Sequence, residues 1–365
     1  MKRIFTTIQK TANNILLLTV LAGAMASCDS VLDFDKGDCS IEYQVKFKYD
    51  YNMKQVDAFA QEVKTVTLYA FDENGIFVNQ KTEQGNRLSI DGYAMSIELA
   101  PGEYDMITWA GLDDQSFAVP LLTPGVSKLK DLTVLTRRNI DTRAEGEEGE
   151  YIVKRSLPSL FHGRVERVTL ADKFTPATRA IPQVVTTVPL VKNTNTIRIV
   201  IAQVNQHPDQ PVTRAIDKER FSYAIYDDNG YMNYDNTLLE DNLLTYLPYV
   251  TEDSHISTRA FSTDGKAAEY PAAIAEISVA RLLDSQTPRL EIINQDTGKQ
   301  LLPGNSLINY LALLKEQGFI NMPLQEYLDR EDSFGMIFFV DENLTMLKSI
   351  IQINDWIVHL KDIEL

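Results

Sequence analysis

Residues 40–51 read SIEYQVKFKYDY. Ile41, Tyr43, Val45, Phe47 and Tyr49 alternate with Glu42, Gln44, Lys46, Lys48 and Asp50. This period of two sets apolar side chains on a core and polar ones in water, so the stretch predicts a half-buried strand. The reading extends outward: TVTLYAFD, GIFVNQ, RLSI, YAMSIEL and EYDMITWAGL follow, separated by turn residues such as Asp91-Gly92 and Pro101-Gly102. Short strands at this spacing predict a β-sandwich.

Two phrases resemble each other, YAFDENGIFV at 69–78 and AIYDDNGYMN at 224–233. Asn74-Gly75 and Asn229-Gly230 accept positive φ, so each predicts a tight hairpin, equivalent in two sandwiches of one kind. Between them, residues 136–155 (TRRNIDTRAEGEEGEYIVKR) lose hydrophobic periodicity and gather charge, which places a domain boundary near residue 150. Strand patterns resume in LFHGRVERVTL, TTVPLVKN, TIRIVIAQV and RFSYAIYDDNGYM, and again in FGMIFFVD and KSIIQINDWIVHL. One segment differs: NSLINYLALLKEQ has Leu307, Tyr310, Leu311 and Leu314 at helical spacing behind Asn305 or Ser306 as N-cap, with Gly318 past the end. The expected fold is mainly all-β: two tandem β-sandwiches at 41–150 and 151–365, with a short helical insertion in the second.

The chain opens with Lys2, Arg3 and Lys10, an apolar run from Ile15 to Ala26, and small residues before Cys28. This is the pattern of a secretory signal, and the run is shorter than the roughly 20 residues that span a bilayer. Met25-Ala26-Ser27-Cys28 resembles the bacterial lipobox, which predicts cleavage between Ser27 and Cys28 and a diacylglycerol thioether and N-palmitoyl group on Cys28. The competing reading is an ordinary cleaved signal with a chance Cys, but the chain has two Cys and one falls here. Residues 1–27 are then signal peptide. Residues 28–40, acidic and poor in structure signals, are a tether. Lipidation of Cys28 leaves Cys39 without an intramolecular partner, so the fold must rest on its core. The net charge of −16 argues against nucleic acid and against electrostatic adhesion to anionic lipid. Acyl chains would hold the membrane, two or three of them stably.

The sequence carries no catalytic pattern, and no metal or cofactor is expected. Its four His, at 162, 207, 255 and 359, lie far apart without ligand spacing. There is no nucleophile elbow, phosphate loop or dinucleotide fingerprint. Asp227-Asp228-Asn229-Gly230 lacks the alternating ligands and closing Glu of a calcium loop, so it reads as a turn. Thr-Arg-Ala occurs at 142–144, 178–180, 213–215 and 258–260, between candidate strands, where a trypsin-like protease could cut.

Several motifs together resemble a known family. They are the lipobox, Cys39-Ser40-Ile41 running to Tyr49, Val66 to Asp72, Leu99-Ala100-Pro101-Gly102-Glu103-Tyr104 with Trp109-Ala110-Gly111, Leu160-Phe161-His162-Gly163, Tyr327-Leu328-Asp329-Arg330-Glu331 and Ile353-Asn354-Asp355-Trp356. The chain is similar to the anchor branch of the fimbrillin superfamily, the fimbrillin-A-associated and minor-fimbrium anchor lipoproteins. The resemblance implies transthyretin-like β-sandwiches and an outer-membrane lipoprotein at the base of a fimbrium, which attaches the fibre and limits its length. In shaft subunits an Arg-specific protease removes the first strand and opens a groove for a neighbour's strand. Here no Thr-Arg-Ala follows the strand at 41–49, which favours an anchor. Asp29 would retain a lipoprotein in the inner membrane of enteric bacteria, whereas in the resembled group acidic residues near the lipid Cys accompany surface export. Expected partners are fimbrial shaft subunits and the outer membrane. The growth contact is expected in the stretch 350–365, through Trp356, Ile357, Val358 and Leu360. The alternative is a surface lipoprotein that binds a glycan or host ligand through a sandwich.

Overall fold

The alternation that opens the argument becomes strand β1 (Tyr43–Lys48), with Tyr43, Val45 and Phe47 buried and Lys46 and Lys48 exposed. The computed structural model describes residues 43–141, 149–170, 184–205, 216–259, 266–302, 306–353 and 356–359. Strand β1 lies in the middle of a three-stranded sheet, between β11 (Val184–Pro189) and β4 (Met95–Ile97). A five-stranded sheet orders β12 (Val191–Lys192), β10 (Phe161–Leu170), β5 (Gly102–Ala110), β2 (Thr65–Asp72) and β3 (Phe77–Gln84). Tyr49, just past β1, meets Phe161 of β10 edge-on with ring centroids 4.9 Å apart, so the two sheets face each other across a packed core.

Two six-stranded sheets build a second sandwich. One orders β17 (Val250–Thr258), β18 (Ala268–Ala280), β13 (Thr194–Gln203), β21 (Ser333–Val340), β22 (Met346–Ile353) and β23 (Trp356–His359). The other orders β20 (Lys299–Gln300), β19 (Arg289–Asn294), β14 (Phe221–Asp227), β16 (Leu244–Tyr246), β9 (Glu150–Val153) and β8 (Asn139–Asp141). Ile197, Ile199 and Ile201 of β13 share a buried core with Phe221, Tyr223 and Ile225 of β14. That core is continuous with Phe71 and Trp109 of the first sandwich. Val200 and Ala202 turn to the other face of β13 and are also buried, which is why the polar side of TIRIVIAQ is only partly polar. A small sheet of β15 (Tyr231–Asn233), β7 (Thr133–Thr136) and β6 (Phe117–Ala118) completes the layers.

Backbone pairing crosses residue 150 in both directions. Strand β10 pairs with β5, and β8, which precedes residue 150, pairs with β9 in the sheet of β14. The two sandwiches therefore interleave along the chain.

The first expected turn is a hairpin: β2 and β3 pair antiparallel around Gly75, whose φ is +71°. The second is not. Past Gly230 the chain enters β15, which pairs with β7, while β14 takes β16 and β19 as neighbours. The reason is tertiary. The fully buried Asn229 donates to the carbonyls of Ala280 and Arg281 and accepts from the Tyr246 hydroxyl, which pulls the turn into the core. Gly230 is small for a different purpose: a Cβ there would lie 2.5 Å from Leu244 Cδ1.

Helix α1 (Leu307–Gly318) forms where the spacing predicted it, and the Ser306 hydroxyl accepts from the Asn309 N–H at 3.3 Å. Leu307, Tyr310 and Leu311 are buried, and Tyr310 packs edge-on against Phe338 of β21. Gly318 is the last helical residue rather than the one beyond. A second helix, α2 (Leu324–Arg330), was not expected. Pro323 precedes it, and it is held by a bidentate pair between Arg281 and Asp329.

Candidate subunit-contact edge

The C-terminal strands extend the sheet outward from a buried centre. Strand β21 (SFGMIFFV) runs parallel to β13 on one side, with Ile199 opposite Met336, and antiparallel to β22 on the other. Its apolar residues on both faces suit a strand covered on both sides. Strand β22 then pairs with β23, in the register Ile353↔Trp356, Gln352↔Ile357, Ile351↔Val358 and Ile350↔His359.

Strand β23 is the last in the sheet order, so among the described residues one of its edges has no strand neighbour. Such an edge offers alternate N–H and C=O groups to an added strand. The opposite edge of the same sheet, β17, reads VTEDSHIST and holds Glu252 and Asp253 exposed, charge of the kind that discourages pairing. Strand β23 reads WIVH and carries no acidic residue or Lys. Of the expected contact residues, Trp356, Ile357 and Val358 thus share one edge strand. Leu360 lies outside the described residues, as do Ser27 and Cys28.

The first strand has the opposite character. Strand β1 has a strand on each side, and Tyr43, Val45, Phe47 and Tyr49 are between 0% and 5% exposed. Tyr43, Gln44 and Val45 pair with Ile97, Ser96 and Met95 of β4. Phe47 stacks on Phe59 with ring centroids 5.7 Å apart.

The remaining polar groups read as architecture. His162 is buried; its Nε2 donates to the Tyr234 carbonyl at 2.8 Å, its ring meets Trp109 edge-on, and desolvation lowers its pKa to about 4. His255 lies on β17, His359 ends β23, and His207 is outside the described residues. Asp227 is buried at the end of β14, and desolvation raises its carboxyl to about 7. In the sequence it reads as a turn residue, because nothing local announces its burial. Thr258 of the last Thr-Arg-Ala ends β17; the other three tripeptides are outside the described residues. Among the described residues, no group of three or more His, Cys, Asp or Glu is placed to hold a metal ion. No helix among them is long and apolar enough to cross a membrane.

Known structures share this arrangement. A Bacteroides thetaiotaomicron protein described as a candidate adhesin is 33% identical, with 88% of this chain and 99% of that chain covered and a TM-score of 0.70. Another from the same organism, described as a candidate polysaccharide-binding protein, is 30% identical over 88% and 99%, with a TM-score of 0.69. The fimbrial anchor protein Mfa2 from Porphyromonas gingivalis, 15% identical over 87% and 98% with a TM-score of 0.58, shares the fold. A search of curated protein sequences finds no match. The sequence model for fimbrillin-A associated anchor proteins matches residues 36–362, nearly the whole of the two sandwiches, and on that match the chain belongs to the family of fimbrillin-A associated anchor proteins Mfa1 and Mfa2.

Proposed function

We propose that this protein is the base subunit of a fimbrium, a lipoprotein of the outer membrane, exposed at the cell surface, that holds the fibre to the cell and limits its length. The observation that carries the reading is the position of β1. Strand β1, flanked on both sides and with its inward side chains buried to within a few per cent, already fills the central lane of its sheet, the lane a neighbour's strand would otherwise take. A subunit that receives nothing in its first sandwich terminates a chain of strand donation, as a base must. Its single growth contact then lies elsewhere, and the uncharged β23 edge through Trp356, Ile357 and Val358, continued by Leu360, is the surface we assign to the adjoining shaft subunit.

Signal cleavage between Ser27 and Cys28 and acylation of Cys28 supply the attachment, and residues 28–40 the spacer from the bilayer. Acyl chains suit a protein whose net charge of −16 gives it no electrostatic attraction to an anionic surface.

Deleting residues 356–365 tests the contact: loss of cell-attached fibres, with the truncated protein folded and acylated, is expected. Fibres of normal length still fixed to the cell would remove β23 from the account. Cys28→Ser tests the anchor: the variant should remain an unacylated precursor, and persistent incorporation of labelled palmitate would overturn the lipid attachment.

A further inference from the structure

The chain has 35 Lys and Arg against 51 Asp and Glu, yet its cations are not evenly spread. Where β7 leads into β8, Arg137 and Arg138 stand beside Lys154 and Arg155, which follow β9. The antiparallel register Asn139↔Ile152 brings the two pairs to the same end of the β8–β9 hairpin. Both are pinned to one segment. The Arg137 N–H donates to the Ser116 carbonyl at 2.8 Å, and the Arg155 guanidinium donates to the Gln115 carbonyl.

Two adjoining clefts open there. One, of about 480 Å³, is lined by Arg137, Arg138, Arg155, Tyr151, Asp241 and Asn242 among others; its neighbour, of about 600 Å³, shares Arg155 and adds Lys154 and Asp113. Four cations therefore face two carboxylates. Asp241 is already committed to Arg138 at 2.7 Å, with both side chains less than a tenth exposed, and Asp113 accepts from the Ser116 hydroxyl. Among the described residues, Arg137, Lys154 and Arg155 have no carboxylate partner. Asp141 and Glu150 lie at the far end of the hairpin, about 13 Å along the strand from Arg137, beyond a Debye length at physiological salt.

A notch whose cations outnumber the carboxylates that face them among the described residues, in an acidic protein, calls for an anionic ligand. The rest of the lining narrows its class. Half-buried Tyr151, packed on one side against the core, lines the notch with the rest of its surface, which suits the apolar face of a pyranose, and the exposed amides of Asn139 and Asn242 suit hydroxyl groups. The planar guanidinium forks of Arg137 and Arg155 suit a carboxylate. We propose that this notch binds a carboxylate-bearing saccharide chain, a surface function additional to holding the fibre.

The test is calorimetric titration of the full-length protein with an oligogalacturonate, a neutral malto-oligosaccharide of equal length and an oligoglutamate of equal charge. The oligogalacturonate is expected to bind, more weakly as salt rises, and the neutral chain not to bind. R137Q/K154Q, which changes only exposed residues, should weaken binding roughly tenfold or more and flatten its salt dependence. Tyr151→Leu should weaken the oligogalacturonate and leave any oligoglutamate binding unchanged; Asn242→Ala, at an exposed position, gives the same reading without risk to the fold. No oligogalacturonate binding, undiminished binding in R137Q/K154Q, or oligoglutamate binding as tight as the saccharide would each overturn the proposal, the last in favour of an acidic protein segment.

Discussion

Tyr246 donates its hydroxyl hydrogen to the side-chain oxygen of Asn229 at 2.6 Å, and both residues are fully buried. The pair fixes the turn that carries the chain from β14 into the β15–β7 sheet. Tyr246→Phe leaves the Asn229 oxygen buried without this donor and should cost about 1–3 kcal/mol. Asn229→Ala strips the Ala280 and Arg281 carbonyls of a donor as well and should cost more. Chemical denaturation of the two variants gives the ranking, and a costlier Tyr246→Phe would contradict it.

Asp227 gives the stability a pH dependence above the usual carboxylate range. Burial raises its folded carboxyl to about 7 from its ordinary value of 3.8, with the charge of Asp228 adding to the rise. Between these values the folded state holds a proton that the unfolded state has lost, so stability falls as pH rises from about 4 to 7 and is level beyond. The full effect is at most about 4 kcal/mol. Asp227→Asn should therefore gain on the wild type as pH rises, which urea midpoints at pH 5 and pH 8 will measure. A difference between the two proteins that stays constant with pH would refute it.

His162 acts in the opposite sense. Its folded pKa of about 4 lies below its ordinary value of 6.5, so its contribution is complete above pH 6.5 and is lost as pH falls toward 4. His162→Gln should flatten that acid limb. Thermal midpoints at pH 4.5 and pH 7 read the change, and an acid limb as steep as in the wild type would contradict it.

Two glycines differ in what they forbid. At Gly111, with φ +81°, a Cβ would sit 1.8 Å from the Ser159 carbonyl oxygen, backbone that cannot swing aside. At Gly230 the obstacles are side chains, Leu244 at 2.5 Å and Asp241 at 2.8 Å. Gly111→Ala should prevent the first sandwich from closing, whereas Gly230→Ala should cost about 1–3 kcal/mol of repacking. Yields of soluble protein and unfolding curves separate the two.

Phe47→Ala probes the retained first strand. The side chain is buried at 5% exposure and stacks on both Phe59 and Tyr93, so its loss should cost about 3–5 kcal/mol. A loss below about 1 kcal/mol, typical of surface positions, would show that β1 is not held firmly.

Some of this was legible in the sequence. Strand β1 was, because one of its faces meets a core and the other water, so its chemistry alternates. Helix α1 was, because its apolar spacing and Ser306 cap are local signals. The turn at Asn229-Gly230 was misread, since hydrogen bonds to residues about 50 positions away override a hairpin dipeptide. Helix α2 is seven residues long and rests on Arg281, far off in the chain. The charged stretch 136–155 reads as a domain boundary, because Arg137 and Arg155 come to one cleft only when both hydrogen-bond to residues 115–116. The apolar run of β21 named a buried strand but not its parallel partner, β13.

The interleaving of the two sandwiches orders events during synthesis, when the chain appears N-terminus first. Strand β1 needs β11 beside it, and β5 needs β10, so the layers begun by Tyr43–Ala110 cannot be completed until Lys192 has emerged. Meanwhile β8 and β9 wait for β16, which begins at Leu244. A nascent chain stopped at residue 150 therefore holds three unfinished sheets with unpaired edges, β1–β4, β5–β2–β3 and β6–β7, the condition that favours aggregation and chaperone capture. Folding is thereby postponed until most of the polypeptide is available.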